Sequence, residues 1–259
     1  MINKTTILAI TLAFTTAACS TEKKGGTDIT TNTQNKTMTA EEVAAKGFER
    51  IEIKGSFDVH FTIGNKTSIR LKGKSEEIAR TKLESDGQTL RISVKNDKRK
   101  RFLNMGCDVD IYITSPLLTA VKIKGASDFD SQNEIKAETF SANISGSGDM
   151  KINNLTANSV KTRISGSGDM EFGNIKSNSI NSKISGSGDL KMKRIKTEAL
   201  KTSIAGSGDM EFDNADINNA DISIAGSGDV KIKGRIGSYN RHVTGSGTVK
   251  IEQQSNNKP

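Results

Sequence analysis

The chain has no tryptophan, two prolines, two cysteines and two histidines, and only 4% of its 259 residues are aromatic. Each scarcity excludes something. With 33% apolar residues in all, there is too little bulky side chain for the thick core of a large α/β enzyme. The two histidines, His60 and His242, have no metal-ligand spacing between them, no Gly-x-Ser-x-Gly occurs, and Cys107 has no evident base partner, so catalysis has little to stand on. Nor does one sign of charge dominate: 38 Lys and Arg against 30 Asp and Glu give a net +8 with the signs interspersed. That balance describes a mildly basic soluble chain before it describes a nucleic-acid binder. What the chain has in quantity is glycine, 24 residues.

Met1-Ile2-Asn3-Lys4 supplies a short positive start, Ile7 to Phe14 is an uncharged apolar and threonine run, and Thr16-Ala17-Ala18 ends at Cys19. The apolar run is too short to span a bilayer, and the pattern is that of an export signal over residues 1–18. Small residues directly before Cys19 resemble the lipobox of bacterial lipoproteins, in which that cysteine is lipidated and becomes the first residue of the mature chain. An ordinary secretory peptide with an incidental cysteine is the alternative. With Cys19 as the lipid tether, Cys107 has no disulfide partner, so it reads as a buried small hydrophobe and stability rests on hydrogen bonding and packing. Residues 19–47 read as a linker: Ser20 to Lys36 is threonine, asparagine, lysine and glycine without period, a flexible spacer. Thr39-Ala40-Glu41-Glu42 has the form of a capping box, which predicts a short helix from Ala40 to Lys46.

The strongest signal is repetition. Gly-Ser-Gly-Asp occurs at 146, 166, 186, 206 and 226, with an altered copy at Gly245-Ser246-Gly247-Thr248 and a degenerate one at Gly125-Ala126-Ser127-Asp128. Within a unit the period is two: Val160, Thr162, Ile164, Gly166, Gly168, Met170 and Phe172 alternate with polar residues, the signature of strand. Stacking the units gives apolar columns, such as Ile144, Ile164, Ile184, Ile204, Ile224 and Val243, that no single unit can bury alone. Successive units must therefore lie on one another as parallel rungs. An independent column supports the register, because Asp130, Lys151, Glu171, Lys191, Glu211 and Lys231 alternate in sign at every rung. Each unit also carries a second polar kink, as at Asn153-Asn154 and Asp213-Asn214. Two corners and two strand stretches in about twenty residues predict an all-β fold, a parallel β-helix (β-solenoid) coiled as a flattened two-sheet superhelix with a thin core.

Residues 48–124 show the same alternation without the motif, and Gly55-Ser56-Phe57-Asp58-Val59 looks like a worn corner. This part reads as irregular β leading into the solenoid as its cap, with a helical turn near Ser75 to Leu83. Residues 125–251 are the repeats and 252–259 a polar tail. Regular Gly-Ser-Gly corners after Phe48-Glu49-Arg50-Ile51-Glu52-Ile53-Lys54-Gly55-Ser56-Phe57-Asp58-Val59 resemble the auto-transporter adhesin family with the head GIN domain, exported lipoproteins of Gram-negative bacteria. The resemblance covers about Phe48 to Ile251. It implies a pectin-lyase-like superhelix and a role in adhesion, and it brings no catalytic set.

Two sets of residues are candidate sites. The first is the ladder Asp128, Asp149, Asp169, Asp189, Asp209 and Asp229, whose charges repel by roughly 1 kcal/mol per step in water at about 4.8 Å. Such a ladder persists either because each carboxylate accepts N–H groups of its own glycine corner, as in an Asx turn, or because it binds Ca²⁺ weakly. No other cofactor is expected, and the nine-residue period of the known Ca²⁺-binding repeat is absent. The second is Lys95, Lys98, Arg99, Lys100 and Arg101, either a solvated hairpin loop or a contact to phosphate-bearing lipopolysaccharide or anionic lipid. Nucleic acid suits neither the compartment nor the lack of interleaved aromatics. The sequence thus predicts a non-enzymatic envelope protein, lipid-anchored to the outer membrane, whose partners are the membrane and a host or envelope glycan or protein. A self-assembling homo-oligomer through open strand edges and a polysaccharide-binding or polysaccharide-cleaving β-helix are the alternatives.

Overall fold

The computed structural model describes residues 39–95 and 109–253. Cys19, Cys107, Lys98, Arg99, Lys100 and Arg101 lie outside the described residues. The expected capping box is present: Glu42 N–H donates to Thr39 Oγ1 at 3.2 Å and Thr39 N–H to Glu42 Oε2 at 2.9 Å, opening helix α1 (Ala40–Lys46). Helix α2 (Ser75–Arg80) is the turn expected near Ser75. Nearly everything else is strand, wound as a parallel β-solenoid of about 7 turns with roughly 20 residues per turn.

The repeats form strands β8 (Asp128–Gly146), β9 (Met150–Gly166), β10 (Met170–Gly186), β11 (Leu190–Gly206), β12 (Met210–Gly226) and β13 (Val230–Gly245), followed by β14 (Val249–Gln253). All pair parallel in the register the columns require, for example Ile184↔Ile204 and Glu171↔Lys191. Within β10 the buried residues are Met170 and Phe172, then Ile175 and Ser177, then Ile180, Ser182 and Ile184. Alternation breaks phase after Phe172 and again after Ser177, and at each break the ladder skips one residue, Gly173 or Asn178. With the Gly-Ser-Gly-Asp corner this makes three turns in every coil, one more than the two kinks read from the sequence. The third corner is fastened by a buried hydroxyl. Ser177 Oγ donates to the carbonyls of Asn158 and Ser179 at 3.1 and 2.8 Å, so a polar residue sits in the core without an unmet hydrogen bond.

The head is ordered differently in space than in the chain. Strands β1 (Arg50–Gly55) and β2 (Asp58–Ile63) form a coil whose corner is Gly55, in register with Gly125. Antiparallel β3 (Ser68–Gly73) and β4 (Thr81–Ser85) then precede β5 (Thr89–Val94) and β6 (Val109–Ser115), which lie on the outer side of β1 and β2. Strand β7 (Ala120–Gly125) returns past that coil to pair with β1 and β8. Antiparallel pairing of β3 with β6 and of β4 with β5 covers the N-terminal end of the solenoid. Val43 of α1 is buried in the same continuous core.

Candidate functional site

The repeated corner is where the sequence concentrates its unusual chemistry. Gly186 has φ +136°, a conformation that side chains rarely adopt, and a Cβ there would lie 2.2 Å from the Gly166 carbonyl oxygen of the coil below. That close approach has a purpose. The Gly166 carbonyl accepts two consecutive N–H groups of the next coil, from Ser187 at 2.9 Å and Gly188 at 3.2 Å. The same double acceptance recurs at Gly125, Gly146, Gly186, Gly206 and Gly226.

The aspartates complete the corner, but not within their own coil. Asp128, Asp149, Asp169, Asp189 and Asp209 each accept, through Oδ1, the main-chain N–H of the aspartate one coil further on, at 2.7 to 3.0 Å. Asp229 closes the series on both the N–H and the hydroxyl of Thr248, at 2.7 and 2.9 Å. The expectation of an Asx arrangement inside one corner is thereby corrected. The side chain reaches along the solenoid axis because the next rung's N–H points back at it. The column also extends into the head, where Asp58 pairs in register with both Asp128 and Asp110. Among the described residues no group of three or more His, Cys, Asp or Glu is placed to hold a metal ion.

The neighbouring charge column also resolves into specific contacts. Lys191 Nζ lies 2.6 Å from Glu211, whereas Lys151 is 3.7 Å from Glu171. Glu171 has a closer partner in Lys193 at 2.6 Å, and Glu211 a second one in Lys233 at 2.7 Å. Hydrogen bonds from Lys191 and then Lys233 hold the Glu211 carboxyl down at about 2. Donation from Lys193 lowers Glu171, and donation by Lys233 to Asp213 and Glu211 raises Lys233. Lys231 and Lys250, like charges in register, share Glu252 at 3.6 and 2.8 Å.

At the head end this outward column continues as Asp130, His60, Tyr112 and Arg70. His60 Nδ1 contacts Asp130 Oδ1, its ring stacks on Tyr112 at 4.9 Å, and Arg70 lies over the Tyr112 ring at 5.2 Å. The sequence reading missed this stack. Its one trace there is the worn corner at Gly55, which fixes the register of β2. Of the basic run, Lys95 is described and exposed, and it is engaged: its Nζ donates to the Ala79 carbonyl at 2.7 Å, tying it to the end of α2.

These features define a repeat protein: a parallel β-solenoid whose Gly-Ser-Gly corners are welded by glycine carbonyls and an axial aspartate ladder. Residues 47–235 and 183–257 match the family described as "Putative auto-transporter adhesin, head GIN domain", and the chain belongs to that family. Its fold is that of a putative adhesin from Bacteroides fragilis, 24% identical over 79% of this chain and 92% of that one, with a TM-score of 0.72. It is similarly that of a putative lipid binding protein from Parabacteroides distasonis, 17% identical over 81% and 93%, with a TM-score of 0.66. A putative adhesin from Parabacteroides merdae matches at 18% identity over 79% and 92%, with a TM-score of 0.64. No curated protein matches the chain.

Proposed function

We propose that this chain is a non-enzymatic adhesin of the cell envelope, tethered to the outer membrane by lipid on Cys19 and presenting its coil faces to a glycan or protein partner. The observation that carries this is the regularity of those faces. Each coil repeats its outward side chains in register over the next, with every Gly-Ser-Gly-Asp corner locked by main-chain hydrogen bonds, so a stiff surface repeats at about the strand spacing of 4.8 Å. A stiff surface loses little conformational entropy on contact, which favours binding many weak repeats at once. The basic segment Lys95, Lys98, Arg99, Lys100 and Arg101 would supply a contact for anionic lipid or lipopolysaccharide phosphate. Protease added to intact cells is expected to remove the chain, and a Cys19→Ser variant is expected to appear in the soluble fraction. Full resistance to protease on intact cells would overturn surface display, and membrane retention of Cys19→Ser would overturn the tether.

A further inference from the structure

The two ends of the solenoid are finished differently. At the N-terminal end β5 and β6 are covered by antiparallel β4 and β3. At the C-terminal end β14 pairs with Val230 to Gly234 alone, and among the described residues no strand pairs with the outer edge of β13 from Arg235 to Gly245. Such an edge leaves a row of N–H and C=O groups facing outward, the template for strand addition. Tyr239 and Val243 are 46% and 38% exposed there, at register positions that the coil below fills with buried Ala220 and Ile224. Between them Arg241 stands in register with Ile222, exposed and without a salt bridge among the described residues.

Charge says what the missing layer must be. Residues 190–209 carry five cations and two carboxylates, 210–229 five carboxylates and no cation, and 230–248 four cations and no carboxylate. The acidic coil is bonded to both neighbours: Lys191–Glu211 at 2.6 Å and Lys201–Asp221 at 3.3 Å on one side, Lys233–Asp213 at 2.8 Å and Arg235–Asp216 on the other. The basic last coil therefore has an acidic layer on one side, and on the other, among the described residues, only Glu252 of β14 near Lys231.

We infer that this open edge is a docking site for an extended acidic segment of a partner protein, added as one more strand. Opposite Tyr239, Arg241 and Val243 the segment presents apolar, acidic and apolar side chains at alternate positions, with its carboxylate on Arg241. A second copy does not meet this requirement. Edge to edge, two copies set basic coil against basic coil, and of the two edge strands at the other end β3 carries Arg70 and Lys72 and no carboxylate, while the one carboxylate of β4, Glu84, is already paired with Lys82 at 2.8 Å. The edge lies apart from the coil faces proposed for adhesion and does not depend on that reading.

The test uses the full chain and two dye-labelled peptides, TVTETVT and TVTKTVT, followed by fluorescence anisotropy. The Glu peptide is expected to bind at least about tenfold more tightly than the Lys peptide. Arg241→Glu is expected to reverse that preference and Arg241→Gln to abolish it, with melting temperatures unchanged. Because Arg241 is exposed and forms no salt bridge among the described residues, Arg241→Gln keeps the test valid should the charge reversal misfold. Equal binding of both peptides, no binding of either at millimolar concentration, or a Glu preference that survives in Arg241→Gln would each overturn the inference. So would concentration-dependent dimerisation of the free chain that the Glu peptide fails to displace, since a second copy would then hold the edge.

Discussion

Asp189 holds the main-chain N–H of Asp209 at 2.8 Å across one rung of the ladder, and replacing it separates the two physical roles of its carboxylate. As an acceptor it makes a charge-assisted bond, worth about 1 to 2 kcal/mol at an exposed position. As a charge it is repelled by Asp169 and Asp209, each costing roughly 1 kcal/mol in water and about half that at physiological salt. Asp189→Asn keeps an oxygen in place and removes the repulsion, so its stability is expected to match the unaltered chain or exceed it by up to ~0.5 kcal/mol. Asp189→Ala loses the bond as well and is expected to fall below Asp189→Asn by about 1 kcal/mol. Because stability in a repeat array is distributed coil by coil, the decisive readout is local: hydrogen exchange at the Asp209 amide. That amide is expected to exchange about tenfold faster in Asp189→Ala and within about threefold of the unaltered rate in Asp189→Asn. If Asn accelerated exchange as much as Ala, or if Ala left it unchanged, the axial hydrogen bond would not be what holds the ladder together.

Three further outcomes follow from the same geometry. Gly186→Ala, which drives a Cβ to 2.2 Å from the Gly166 carbonyl, is expected to cost at least ~3 kcal/mol by urea unfolding, since strained backbone and overpacking both apply. Glu211, lowered from 4.5 to about 2, contributes stability that is fully present above pH ~4.5 and is lost as pH falls towards 2. Discounted for solvent screening, that loss is of order 1 kcal/mol, and Glu211→Gln is expected to flatten the acid limb of a melting-temperature profile. Millimolar Ca²⁺ is expected to leave the melting temperature unchanged, because one oxygen of each repeat carboxylate from Asp128 to Asp229 is already committed to a main-chain N–H; a rise of several degrees would restore the cation-row reading.

The repeat columns were legible because identical corners at a fixed step leave one alignment, and the alternating charge column agreed with it. The third corner was hidden by chemistry. Ser177 and Ser182 are buried yet polar, so the apolar pattern skips them and conceals the shift from Ile175 and Ser177 to Ile180, Ser182 and Ile184. The direction of the aspartate bond was hidden for another reason: every coil offers the same N–H groups, and composition cannot say which rung a side chain reaches. In the head, column reasoning assumes that consecutive segments are neighbours, whereas β5 and β6 lie outside β1 and β2 although they follow them in sequence. The stack of Tyr112 on His60 is a product of that reordering and has no periodic trace.

Identical corners create a danger that the charges answer. Every Gly-Ser-Gly-Asp corner can dock on any other, so glycine and aspartate alone permit a slip by one whole coil with about twenty residues looped out. Loop closure grows only logarithmically with length, so the entropy of such a loop is a weak safeguard. A slip that ejected residues 210–229 would lay β13 on β11, placing Lys231 over Lys191, Arg235 over Lys196 and Arg241 at the register position of Thr202. Two like-charge contacts would replace the bonds to Glu211 and Asp216, and each exchange of an attractive cross-strand pair for a repulsive one costs roughly 0.5 to 2 kcal/mol. The corners therefore make the coils stick, and the alternation of acidic and basic coils decides which coil sticks to which.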